Sequence, residues 1–176
     1  MKNNMEFLIR RATSEDVEQI MDIMREAKAS LVHAQWFVSD DEKYVRNHLE
    51  DNGFILVAEA EGGELAGFFL AKRPDREENL GIRLGFDEEK LSRVMIMDTA
   101  AVAVKYRGHH LQSRLYQEVE KQIDREKYRY LLCTIHPDNQ FSLHNMQNNG
   151  FTIQKKVLCY GGLERYILMK ELSPEK

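Results

Sequence analysis

Residues 102–115, VAVKYRGHHLQSRL, lead from an apolar run through an Arg-Gly turn into a helical pattern. A buried strand feeding a helix this way aims the helix's first backbone N–H groups, which have no acceptor inside the helix, at whatever lies beyond the strand end. Such groups, with the helix dipole behind them, hold an anion, and Lys105, Arg107 and Arg114 add positive charge locally. The plainer alternative is an ordinary turn whose basic residues are solvated. The spacing is neither GxxxxGK(S/T) nor GxGxxG, so the passage is not a familiar nucleotide fingerprint. Asp98 lies inside the apolar run 95–100, MIMDTA, where an unpaired carboxylate is costly. It reads either as a general base or as an acid hydrogen-bonded to nearby backbone, Arg83 or Arg93. The six histidines show no HExxH spacing and no cysteine partner, so no metal is expected, and they read as surface or turn residues. His136, at the end of a strand, is the one worth testing. Cys133 and Cys159 show no CxxC spacing and are expected to be two buried, reduced thiols.

The elements that must position these residues alternate along the chain. A strand near 7–10 precedes Thr13, which is placed to cap a helix whose apolar stripe is Val17, Ile20, Met21 and Met24. Ser39 and Glu42 have capping-box spacing for a second helix through about Leu49. The apolar runs 54–60 and 65–71 flank Glu61-Gly62-Gly63-Glu64, a hairpin signal. A polar excursion follows over 74–90. Residues 93–104 read as a central strand covered on both faces, and 110–125 as a helix with Leu111, Leu115, Val119 and Ile123 on one face. A strand at 130–135, a helix at 142–148 ending at Gly150, and two strands about Gly161-Gly162 complete a mixed α/β sheet. Trp36, with Phe37, His33 and Gln35, is either an acceptor-pocket lid or plain core packing.

The chain has 176 residues, of which 43% are hydrophobic and 31% charged, with 10 Gly and 3 Pro. That length and apolar content predict one domain, residues 1–176, able to bury a core without disulfide or metal staples. A net charge of −4 argues against a nucleic-acid partner. No apolar run approaches bilayer-spanning length and the start, MKNNME, lacks a signal-peptide core. The expectation is therefore a cytoplasmic protein with no membrane partner.

Arg107-Gly108-His109-His110-Leu111-Gln112, preceded by Val102-Ala103-Val104, resembles motif A of the GNAT (Gcn5-related) N-acetyltransferases, Arg/Gln-x-x-Gly-x-Gly/Ala after an apolar strand. Two further stretches are similar to the family's pattern in the same order: Ile9-Arg10-Arg11-Ala12 through Asp16, and Asn139 through Ser142 to Asn149-Gly150-Phe151. The resemblance implies an α/β GNAT fold: one mixed, mostly antiparallel sheet whose central parallel pair splays at a β-bulge, flanked by helices. It also implies acetyl-CoA as cosubstrate. Val102, Ala103 and Val104 match the strand that pairs with pantetheine. Arg107, Gly108, His109, His110, Leu111, Gln112 and Ser113 match the phosphate turn, and Asn139, Ser142 and Asn145 match positions near the CoA arm. Asp98 is similar in placement to the family's strand acid, the base for the attacking amine, and a backbone N–H near Val102 would meet the oxyanion.

Two positions depart from the pattern. His110 and Gln112 stand where motif A has glycines, and a helical φ at His110 would let phosphate approach. Met146 stands where many members carry the tyrosine that protonates the leaving thiolate, so water, Asn145, His144 or Tyr160 would have to substitute. The expected function is acetyl transfer to a primary amine of a small molecule, or less readily of a peptide, by direct attack on the thioester. The expected partners are acetyl-CoA and that acceptor, with a homodimer left open. The alternative is a non-catalytic module that binds acyl-CoA or a protein partner.

Overall fold

The computed structural model describes residues 5–174. Its strands are β1 (Phe7–Arg11), β2 (Gly53–Ala60), β3 (Leu65–Lys72), β4 (Val94–Val102), β5 (Tyr130–Ile135), β6 (Thr152–Cys159) and β7 (Leu163–Glu171). Its helices are α1 (Val17–Ala29), α2 (Glu42–Asn47), α3 (Glu88–Leu91), α4 (Leu111–Gln122) and α5 (Gln140–Asn148). The strands form one sheet in the order β1-β2-β3-β4-β5-β7-β6. β4 and β5 are its parallel pair, registered from Val94 opposite Tyr130 to Ile96 opposite Leu132, and β4 runs on to Val102. β1 pairs antiparallel with β2, and β7 antiparallel with both β5 and β6. No helix among the described residues is long and apolar enough to cross a membrane.

By contact the chain divides into two compact units, and β3, β4 and α4 each run from one into the other. The first comprises residues up to Leu70 with Thr99–Lys121. Its core joins Val17, Ile20 and Met24 of α1, Ile55 to Val57 of β2, and Leu115, Tyr116 and Val119 of α4. The helical members, Tyr116 apart, are stripe residues of the two amphipathic helices, and each fully buried aliphatic side chain contributes about 1.5–3 kcal/mol. Met21 of the expected α1 stripe lies at its edge, half-buried. The second unit comprises Ala71–Asp98 with Gln122–Lys176. Val94, Ile96 and Leu132 form a cluster there, joined by Leu80, Leu84, Phe86, Tyr130 and Met169.

Several ends differ from the sequence reading. Asp41, not Ser39, caps α2, because its carboxylate accepts the Tyr44 N–H at 2.8 Å. Thr13 opens a 3₁₀ turn (Ser14–Asp16) before α1. There the Asp16 carboxylate turns back to accept the Thr13 N–H at 2.8 Å. Arg10 then clamps Asp16 from outside the turn, with Nη1 and Nη2 at 2.8 and 2.9 Å from its two oxygens and Nε at 2.8 Å from Glu59. The Arg10–Asp16 match to the family's opening is thus a structural lock. It holds the Asp16 carboxyl below the usual carboxylate range, chiefly through the Arg10 hydrogen bond. The excursion at 74–90 contains a 3₁₀ segment (Leu80–Leu84) and α3. Cys133 is buried, and burial pushes its thiol up to about 12. Cys159 is only half-buried, because β6 lies at the sheet edge.

Candidate active site

In the first unit, β4 ends at Val102 and a 3₁₀ turn (Val104–Tyr106) follows, so Val104 is not the strand residue the sequence implied. Its side chain is exposed and its N–H donates to Glu26 Oε2 at 3.0 Å. Ala103 N–H donates to Ala66 O at 2.9 Å, which ties the start of the turn to β3. Gly67 lets β3 approach this closely, since a Cβ there would lie 2.9 Å from Ala101 O.

The chain then reverses through Gly108 (φ 85) and His110 (φ 56). His110 therefore does not take the helical φ expected of it. It occupies the left-handed region that a glycine in this place visits without strain. Neither His109 nor His110 lies in the helix, which begins at Leu111. The His110 carbonyl accepts the Arg114 N–H at 3.0 Å, so the amides of Leu111, Gln112 and Ser113 precede the first intrahelical bond. The His109 ring packs edge-on against Phe7, 5.8 Å between centroids.

The basic residues are not equivalent. Lys105 is paired with Glu64 of the β2–β3 hairpin, which also accepts from Tyr106 Oη at 2.9 Å. Arg107 Nη2 donates to Ser30 at 2.8 Å while its side chain stays exposed, and Arg114 lies 5.7 Å over the Phe7 ring. Beside this turn on the same unit, residues 31–41 carry the aromatic pair His33 and Trp36, 5.1 Å apart. Trp36 and Phe37 are half-buried and absent from the core, so plain core packing does not account for them. Thr99 Oγ1 holds the segment's end by donating to Asp40 Oδ2 at 2.7 Å, and the Asp40 N–H meets Met24 Sδ at 3.3 Å.

In the second unit, Asp98 stands two residues beyond the paired Ile96, and Thr134 two beyond Leu132. The pleat places both on the face carrying the Val94–Ile96–Leu132 cluster. Lys72, not Arg83 or Arg93, is the cation at Asp98, with Nζ 3.9 Å from Oδ1 and 3.1 Å from Glu78. Its place at the end of the apolar run LAGFFLAK was the signal, since a buried lysine there needs carboxylates. Tyr160 follows β6 with φ 51, and its hydroxyl lies 3.0 Å from Thr134 Oγ1. Although the residue is 54% exposed, its hydroxyl end packs at Thr134; this withdrawal from water raises the phenol pKa, the Thr134 bond opposes that, and the charge of Asp98 raises it further. Arg165, 2% exposed, lies 5.7 Å from the Tyr160 ring, and burial lowers its pKa.

Asn139 caps α5, its Oδ1 accepting the Ser142 N–H at 3.3 Å, so these two expected CoA-arm residues also bond to each other. Asn145 Nδ2 is buried without a hydrogen-bond partner, a donor that a ligand carbonyl would satisfy. Met146 is buried and cannot give a proton. His136 is buried too, its Nδ1 accepting the Asp138 N–H at 3.1 Å, which makes it a turn-forming residue. A shallow cleft lined by Ile82, Leu84, Phe86 and Gln154 contains none of the expected site residues.

The sequence matches the Acetyltransferase (GNAT) family over residues 17–151. That stretch spans most of both units, and the chain belongs to the GNAT acetyltransferase family, whose general activity is acetyl transfer. Solved structures of the same fold include Arabidopsis thaliana NAA60 in complex with acetyl-CoA, at 16% identity and a TM-score of 0.75 over 95% of this chain and 99% of that one. Ribosomal-protein-alanine N-acetyltransferase from Brucella melitensis shares 22% identity with a TM-score of 0.71, covering 94% and 99%. YncA from Salmonella typhimurium, solved with its cofactor acetyl-CoA, shares 18% identity with a TM-score of 0.71, covering 97% and 96%. A comparison with curated proteins finds no match.

Proposed function

We propose that this protein transfers the acetyl group of acetyl-CoA to a primary amine of a small molecule. The observation that carries the reading is the left-handed His110, which keeps the glycine-like reversal of the phosphate turn despite its side chain. Acetyl-CoA supplies the acetyl thioester. The amides of Leu111, Gln112 and Ser113, with Gly108, Arg107 and Arg114 around them, hold its phosphates. A pantetheine carbonyl satisfies Asn145, and Asn139 and Ser142 flank it at the start of α5. Val104 can offer its N–H only once Glu26 lets it go, so β4 contributes through Val102, whose N–H meets the developing oxyanion.

Asp98 takes the proton of the attacking nitrogen, with Lys72 Nζ 3.9 Å from its Oδ1. The segment 31–41, with Trp36 and Asp40, offers an aromatic wall and a negative charge to an alkylammonium acceptor. A second reading, a peptide N-terminus as acceptor, is favoured by the likeness to the Brucella ribosomal-protein-alanine N-acetyltransferase. Release of free thiol from acetyl-CoA with polyamines, aminoglycosides, amino acids and peptides separates these readings. Turnover with the small amines alone supports the first and turnover with peptides alone the second. Acetyl-CoA binding with no turnover supports an acyl-CoA-sensing module in place of an enzyme.

A further inference from the structure

We propose that Tyr160 protonates the departing CoA thiolate, taking the role that Met146 cannot fill. This inference rests on the acetyl-transfer reading above. Four observations carry it. The usual position is occupied by a buried thioether with no proton to give. Asp98 and Thr134 share one face of adjacent parallel strands, and the Tyr160 hydroxyl reaches that face, 3.0 Å from Thr134 Oγ1. Tyr160 is held at φ 51, a conformation that disfavours a side chain by about 1–2 kcal/mol and that directs the ring back over β5. Its neighbours keep it a neutral donor: burial raises its pKa first, Asp98 and Cys159 raise it further, and Thr134 and Arg165 act the other way without reversing the direction.

The remaining candidates serve less well. His144 is exposed on α5, and the Asn145 amide is not an acid at any accessible pH.

The amine lone pair forms the new C–N bond, and the nitrogen gives its surplus proton to the Asp98 carboxylate. The C–S bond breaks with its electron pair on sulfur, which takes the phenolic proton. The tyrosinate then recovers a proton from the Asp98 carboxyl through the Thr134 hydroxyl and solvent. The amine's proton thus ends on the thiol, and both residues return to their starting states.

The test uses wild type, Tyr160→Phe and Thr134→Val, each measured for acetyl-CoA affinity by calorimetry, for kcat and KM, and for the pKa of the bound CoA thiol by thiolate absorbance. Tyr160→Phe keeps acetyl-CoA affinity within about twofold, loses about 100-fold in kcat and raises the bound-thiol pKa by about one pH unit. Thr134→Val, which removes the phenol's partner and keeps the branched shape, lowers kcat by about 5-fold. Unchanged kcat and bound-thiol pKa in Tyr160→Phe overturn the assignment. So does a higher KM for the amine at constant thiol pKa, which places Tyr160 on the acceptor. A Tyr160→Phe chain that fails to fold leaves Thr134→Val to decide, with unchanged kcat overturning the proposal. Wild type that binds no acetyl-CoA instead overturns the acetyl-transfer reading beneath it.

Discussion

At His110 the backbone adopts a conformation that costs a non-glycine residue about 1–2 kcal/mol, and the strain sits in the reversal that leads into α4. His110→Gly is expected to raise stability to chemical denaturation by about 1 kcal/mol with acetyl-CoA affinity equal to wild type or better. His110→Val, β-branched and poorly suited to positive φ, is expected to lose both stability and affinity. A second residue, Glu26, holds the Val104 N–H at 3.0 Å with a full carboxylate. Charge-assisted bonds are roughly twice as strong as neutral ones. Glu26→Gln is therefore expected to tighten acetyl-CoA binding by about 5-fold, read by calorimetry; unchanged affinity would mean that the ligand never competes for this amide.

Among elements, the turn from β1 into α1 is fastened by Arg10, Asp16 and Thr13, and it makes stability depend on pH. Asp16 has a lowered pKa in the folded chain. Its contribution is therefore present above the ordinary carboxylate value near 4 and is lost as pH falls through the lower folded value. Asp16→Asn is expected to cost about 2 kcal/mol at pH 7 and to flatten the stability loss that begins as pH falls below about 4, measured by urea denaturation. At α5, Asn139→Ala removes the cap and is expected to cost about 1 kcal/mol. The strands and the two amphipathic helices were legible in the sequence because their apolar periods are long and regular. The caps were not, since Ser39, Asp40 and Asp41 offer three adjacent candidates and only the backbone path selects Asp41. The reversal before α4 was legible from Arg107 and Gly108, whereas the conformation of His110 was not, because no local rule puts histidine at positive φ. Lys72 and Arg165 were missed because both sit on apolar strands, and the pairing of Lys72 with Asp98, 26 residues on, is set by the fold rather than by local spacing.

On the scale of the whole molecule, a chain of net charge −4 belongs to a family whose cosubstrate is strongly anionic. On the proposed reading the attraction is local: helix amides at 111–113 plus Arg107 and Arg114, with Lys105 paired to Glu64. The overall acidity suits a cationic amine as the second substrate and gives no help to the first. This division yields a direct test, because Gln112→Glu places one negative charge in the first turn of α4, where an acid favours the helix by about 0.3–1 kcal/mol. Calorimetric titration of acetyl-CoA into wild type and Gln112→Glu, with melting curves of both, tests the central claim. Saturable binding to wild type, at least about 10-fold weaker binding to Gln112→Glu, and an unchanged or raised melting temperature are the predicted results. Equal affinity in the two proteins, or no binding to wild type at millimolar acetyl-CoA, would contradict the claim.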